Sequence, residues 1–82
     1  MAIDYTASMQ RANDIYDSAN EMNSEIIRLE NLLAQIKGEW YGPASDAFQQ
    51  QLAKVLTDMR NTRQSMYNLS SKIKTMVSQA NG

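Results

Sequence analysis

The chain contains no cysteine, no histidine, one proline and three glycines in 82 residues. Without cysteine there is neither a disulfide staple nor a thiolate ligand, and without histidine there is no imidazole metal site and no Ser-His or Cys-His nucleophile. A domain this short has a marginal core unless something else stabilises it, and oligomerisation is the remaining route. Basic excess is also missing, the formal net charge being -1, which argues against a nucleic-acid partner. No run approaches the roughly 20 apolar residues of a membrane span. The opening Met1-Ala2-Ile3-Asp4 has neither a basic region nor an apolar stretch, so no Sec signal is read here and no cofactor is implied.

The scarce helix breakers are gathered in one place, Gly38-Glu39-Trp40-Tyr41-Gly42-Pro43. Pro43 cannot continue a helix from its N-terminal side but suits the first turn of a new one, with Gly42 as the cap. The expected architecture is all-α, a single domain over 1–82. A helix of about 4–37 opens on Asp4 as N-cap, a turn covers 38–43, and a second helix runs over about 43–80. The two helices double back as an antiparallel hairpin.

Each helix carries a seven-residue apolar repeat, the pattern that packs one helix on another at a shallow angle. On the first, Tyr5, Ala12, Ala19, Ile26, Leu33 and Trp40 form one row, and Ser8, Ile15, Met22, Leu29 and Ile36 the other. On the second, the rows are Ser45, Leu52, Met59, Met66, Ile73 and Ala80, and Phe48, Val55, Thr62, Leu69 and Met76. The expected hairpin core is therefore Ile15, Met22, Ile26, Leu29, Leu33, Ile36, Phe48, Leu52, Val55, Met59, Met66, Leu69 and Ile73. Methionine in such rows acts as adaptable core filler. Trp40 continues the row of Leu33, which places its ring inside the closed end, where truncation to alanine would cost about 3 to 5 kcal/mol.

Apolar residues are left over. Met9, Tyr16, Ile27 and Leu32 on the first helix, with Leu56 and Tyr67 on the second, form a candidate partner face that would join another hairpin in a four-helix bundle. Residues 1 to 42 hold seven acids and three bases, and residues 43 to 82 two acids and five bases, a distribution that favours antiparallel pairing. Asp17, Glu21 and Glu25 lie four residues apart, but a two-helix rod offers no cleft in which carboxylates could work as acid and base. They read as a solvated face, and no enzymatic activity is expected.

Trp40-Tyr41-Gly42, at the centre of a short helical chain and followed by Ala44, Ala47 and Phe48, resembles the Trp-x-Gly signature of the WXG family. These are the ESAT-like small proteins of type VII (ESX) secretion. The resemblance implies a helical hairpin that pairs with its own copy, with a related hairpin, or with the helical N-terminal region of a larger effector. It also implies export through the type VII machinery from a cytoplasmic pool. Substrates of that route often carry Tyr followed four residues later by Asp or Glu; here Tyr5, Tyr16, Tyr41 and Tyr67 are followed by Met9, Asn20, Ser45 and Ser71. The export signal is then expected from a partner or in another form. Apart from the resemblance, the same pattern suits an intracellular adaptor bundle or a hairpin that opens onto a membrane surface.

Overall fold

A computed structural model describes residues 4–81 as two long helices, α1 Tyr5–Glu39 and α2 Pro43–Asn81. They fold back on each other as an antiparallel hairpin, 61 Å long and about as wide as two helices, 15 by 14 Å. This is the architecture expected from two glycine- and proline-free repeats flanking one break.

α1 begins where the Asp4 side chain accepts a hydrogen bond from the Ala7 amide at 3.0 Å, satisfying one of the free amides of the first turn. It runs through Gly38 to Glu39, two residues beyond Lys37, so the corner itself is only Trp40, Tyr41 and Gly42. Trp40 takes an extended backbone, φ -126 and ψ 121, and its amide still donates to the Ile36 carbonyl at 2.9 Å. Gly42 stands at φ 114, a region that suits a residue without Cβ. Its carbonyl accepts from the Asp46 amide at 3.0 Å, so it caps α2, with Pro43 as the first helical residue.

Ser45, a polar interruption of an otherwise apolar row, is fully buried and ties the corner together. Its hydroxyl donates to the Trp40 carbonyl at 2.8 Å and accepts from Gln49 Nε2 at 2.9 Å. Tyr41 closes the outer side, its hydroxyl donating to the Gly38 carbonyl at 2.8 Å.

Contacts between the helices form an antiparallel ladder. From the open end it runs through Ser70 on Ala12, Tyr67 on Tyr16 and Asn20, Arg63 on Asn23, and Arg60 on Glu30, to Phe48 on Trp40. The buried side chains are Ala12, Ala19 and Ile26 on α1 and Ser45, Leu56, Ser70 and Val77 on α2. Ile15, Met22, Leu29, Leu33, Ile36, Leu52, Met59, Met66 and Ile73 are half-buried beside them.

Three residues expected in the hairpin core lie outside it: Phe48, Val55 and Leu69 are 45%, 47% and 49% exposed. The row that α2 turns towards α1 is one residue further on: Gln49, Leu56, Arg63, Ser70 and Val77. Ala12 and Ala19 bring the helix backbones close, which suits small Ser70 better than Leu69. The polar members of the row also find partners there, Ser70 on the Ala12 carbonyl and Arg63 on Asn23. Trp40 is corrected as well, being 44% exposed. The helical phase that would carry its ring over Leu33 ends at Glu39, and the ring leans on Phe48 instead, with centroids 5.9 Å apart.

Candidate interaction surface

An α-helix turns about 100° per residue, so in each heptad the position three residues on lies about 60° to one side of the reference row and the position four residues on about 40° to the other. Applied to both helices, whose contacts fix the direction of the seam, this geometry gives the hairpin two unlike faces.

One face is polar and internally engaged. The rings of Tyr16 and Tyr67 pack at 5.2 Å with an interplanar angle of 59°. The Tyr67 hydroxyl donates to Asn20 Oδ1, and Lys74 Nζ lies 5.7 Å from the Tyr16 ring centre, within cation-π range. Further towards the turn, Arg60 pairs with Glu30 at 3.6 Å, both side chains partly exposed. Such a pair adds at most about 1 kcal/mol and serves mainly to mark the register.

The opposite face is apolar and uncovered. Phe48, Val55, Leu69 and Met76 run along α2 at intervals of seven and fourteen residues, with exposed Thr62 between Val55 and Leu69. Next to them lie the half-buried Leu52, Met59, Met66 and Ile73, and across the groove the half-buried Ile15, Met22, Leu29 and Ile36 of α1. The Trp40–Phe48 contact closes this strip at the turn end. A contiguous stripe of large apolar side chains along one face of a small protein marks an interaction site.

This changes the membership of the candidate partner face. Leu56 is 1% exposed and belongs to the seam. Tyr16 and Tyr67 occupy the polar face, where each packs on the other, and Met9 is half-buried. Ile27 and Leu32 are exposed, Leu32 beside the apolar strip and Ile27 away from it. Phe48, Val55, Leu69 and Met76 replace them. Hydrophobicity alone points that row inwards, because it outranks a row containing Gln49, Arg63 and Ser70. The signal that separates the rows is the pair of alanines opposite, which admits only a small neighbour.

Among the described residues no group of three or more acidic, histidine or cysteine side chains could hold a metal ion, and no helix is long and apolar enough to cross a membrane. What the surface offers chemically is an extended apolar strip left uncovered.

Fold and surface together define a small helical hairpin with one uncovered apolar strip. Its residues 1–80 match the family WXG100, proteins of 100 residues with WXG, and the chain belongs to that family, Trp40-Tyr41-Gly42 at the corner being its motif. The family comprises small helical proteins associated with type VII secretion, whose members typically form dimers and are not known as enzymes. No curated protein and no solved structure gives a match.

Proposed function

We propose that the chain acts in type VII secretion by helix-to-helix binding, and that its apolar strip packs against the same strip of a second copy to form a four-helix bundle exported as a pair. The observation that carries this reading is the uncovered row Phe48, Val55, Leu69 and Met76. An isolated chain holding those side chains in water forfeits roughly 25 cal/mol for every Å² of apolar surface left unburied.

The strip is also self-complementary. Thr62 is the midpoint of α2 and Met22 the midpoint of α1, and the ladder puts the two at nearly the same height. Val55 and Leu69 lie seven residues either side of Thr62, and Ile15 and Leu29 seven either side of Met22. A twofold axis through that level, perpendicular to the rod, sets Val55 against Leu69 of the partner subunit and Ile15 against Leu29 of the partner subunit. Such a self-matching patch is what an isologous contact needs.

The rim charges favour this head-to-tail arrangement. Arg11 and Lys72 are exposed at one height near the open end, while Glu25 and Asp58 are exposed within about a turn of each other nearer the corner. Stacking two hairpins head to head sets like charge near like charge at both levels, a repulsion softened by the pairing of Arg11 with Asp14 and of Glu25 with Arg28. Head to tail, the like charges are apart.

A second reading rests on the missing spacing from tyrosine to an acidic residue. The same strip would then take the helical N-terminal region of a larger effector that brings its own export signal. Light-scattering mass of the purified chain separates the two readings, with twice the chain mass supporting self-pairing and a single chain favouring the companion. Loss of the protein from the culture medium on deletion of the secretion ATPase tests the pathway.

A further inference from the structure

We propose that the Met76 thioether is a modification site, oxidised to the sulfoxide by hydroperoxides in the unpaired chain, and that this oxidation weakens pairing while the hairpin stays folded. The inference rests on the self-pairing reading and goes beyond it, since pairing alone calls for no redox chemistry in the strip.

The chain has no cysteine, so methionine thioethers are its only sulfur. Within the described residues they are gathered on the strip: Met22, Met59, Met66 and Met76 lie on it, and Met9 alone lies off it. Their access to solvent differs. Met9, Met22, Met59 and Met66 are half-buried, whereas Met76 is 60% exposed, more than Phe48, Val55 or Leu69 of the same row. A peroxide in solution therefore meets Met76 first.

In the reaction a lone pair on the Met76 sulfur attacks one oxygen of hydrogen peroxide. The S–O bond forms as the O–O bond breaks, the proton on the transferred oxygen passes to the departing one, and water leaves. Sulfur is oxidised and the peroxide reduced. A flexible apolar side chain becomes a polar one.

The twofold axis at Thr62 decides what that change does. Met76 stands fourteen residues after Thr62 and Phe48 fourteen before it, so the axis sets Met76 against Phe48 of the partner subunit. In each chain the Phe48 ring leans on Trp40, and a thioether against aromatic rings is a favourable contact. A sulfoxide oxygen pressed there finds no donor, and burying it unpaired is unfavourable. The hairpin is spared, because its seam at this end is closed by the buried Ser70 and Val77 and not by Met76. Pairing in turn covers Met76, so paired copies are protected from the oxidant.

The test treats the full chain with hydrogen peroxide, reading the sites by peptide mass and pairing by sedimentation. In dilute, unpaired protein Met76 is expected to take up oxygen faster than Met22, Met59 and Met66. Its rate is expected to fall as protein concentration rises through the pairing range. The contact occurs twice in a pair, so the Met76 sulfoxide should raise the dissociation constant at least about tenfold with helical circular dichroism retained. Methionine sulfoxide reductase should restore the original constant. For M76L, the constants before and after the same exposure should agree, while M76Q, polar without any oxidant, should pair more weakly than the parent.

Oxidation of Met76 no faster than that of the half-buried methionines would overturn the proposal. So would unfolding on its oxidation, or an equal peroxide effect in M76L. An untreated parent that sediments as a single chain at every concentration would end the pairing reading and the proposal with it. An untreated pair that survives oxidation of Met76 would end the proposal alone.

Discussion

Ser70 donates its hydroxyl proton to the main-chain carbonyl of Ala12 at 2.7 Å, and both residues are buried, so the helices meet there through a serine and an alanine. Ser70→Leu would force a larger side chain into that contact and should destabilise the fold by about 1 to 3 kcal/mol. Ser70→Ala keeps the shape and loses only the hydrogen bond, a cost of about 0.5 to 1.5 kcal/mol. Thermal unfolding of the two variants at matched concentration should rank them in that order. A Ser70→Leu protein as stable as the parent would mean the helices do not meet there.

The two glycines before the proline should respond in opposite directions. Gly42 holds φ 114, and Gly42→Ala should cost about 1 to 3 kcal/mol through backbone strain. Gly38 sits in the last helical turn of α1, and a methyl group added there meets open space. Gly38→Ala should therefore stabilise by about 0.5 to 1 kcal/mol, the difference between the two residues inside a helix. Paired melting curves decide it.

Truncating Trp40 should be milder for the hairpin than its place in the apolar repeat suggests. With the ring 44% exposed and leaning on Phe48, Trp40→Ala should cost the hairpin about 1 to 2 kcal/mol. Because that ring ends the uncovered strip, the variant should also weaken pairing, seen as a dimer that dissociates at a higher protein concentration than the parent.

Neighbouring residues on α2 should separate folding from pairing. Leu56 is 1% exposed, and Leu56→Ala should destabilise by about 2 to 5 kcal/mol. Val55, one residue earlier, is 47% exposed. Val55→Asp should leave helical content at high protein concentration close to that of the parent while reducing the dimer fraction, measured by sedimentation. Equal effects at both positions would remove the distinction between seam and strip.

The hairpin is legible in the sequence because the only glycine-proline cluster separates two long stretches with mostly apolar seven-residue repeats, and folding back lets both repeats bury themselves within one short chain. On α1, the spacing of seven that links Ala12, Ala19 and Ile26 is visible in the sequence, and all three are buried. On α2 three adjacent rows compete, and hydrophobicity favours Phe48, Val55 and Leu69 over Gln49, Arg63 and Ser70. That preference fails because the seam is decided by backbone proximity at Ala12 and Ala19 and by polar partners on α1, neither of which is a property of α2. Trp40 departs from its expected place for a related reason: a repeat extrapolated past the last helical residue loses its phase.

The strip through Phe48, Val55, Leu69 and Met76 is proposed as a surface for a second copy. Sedimentation equilibrium of the purified chain, with Leu69→Asp measured beside it, tests it most directly. Twice the chain mass is expected for the parent at micromolar concentration and a single-chain mass for L69D. A parent protein that sediments as one folded, fully helical chain, indistinguishable from L69D, would contradict it.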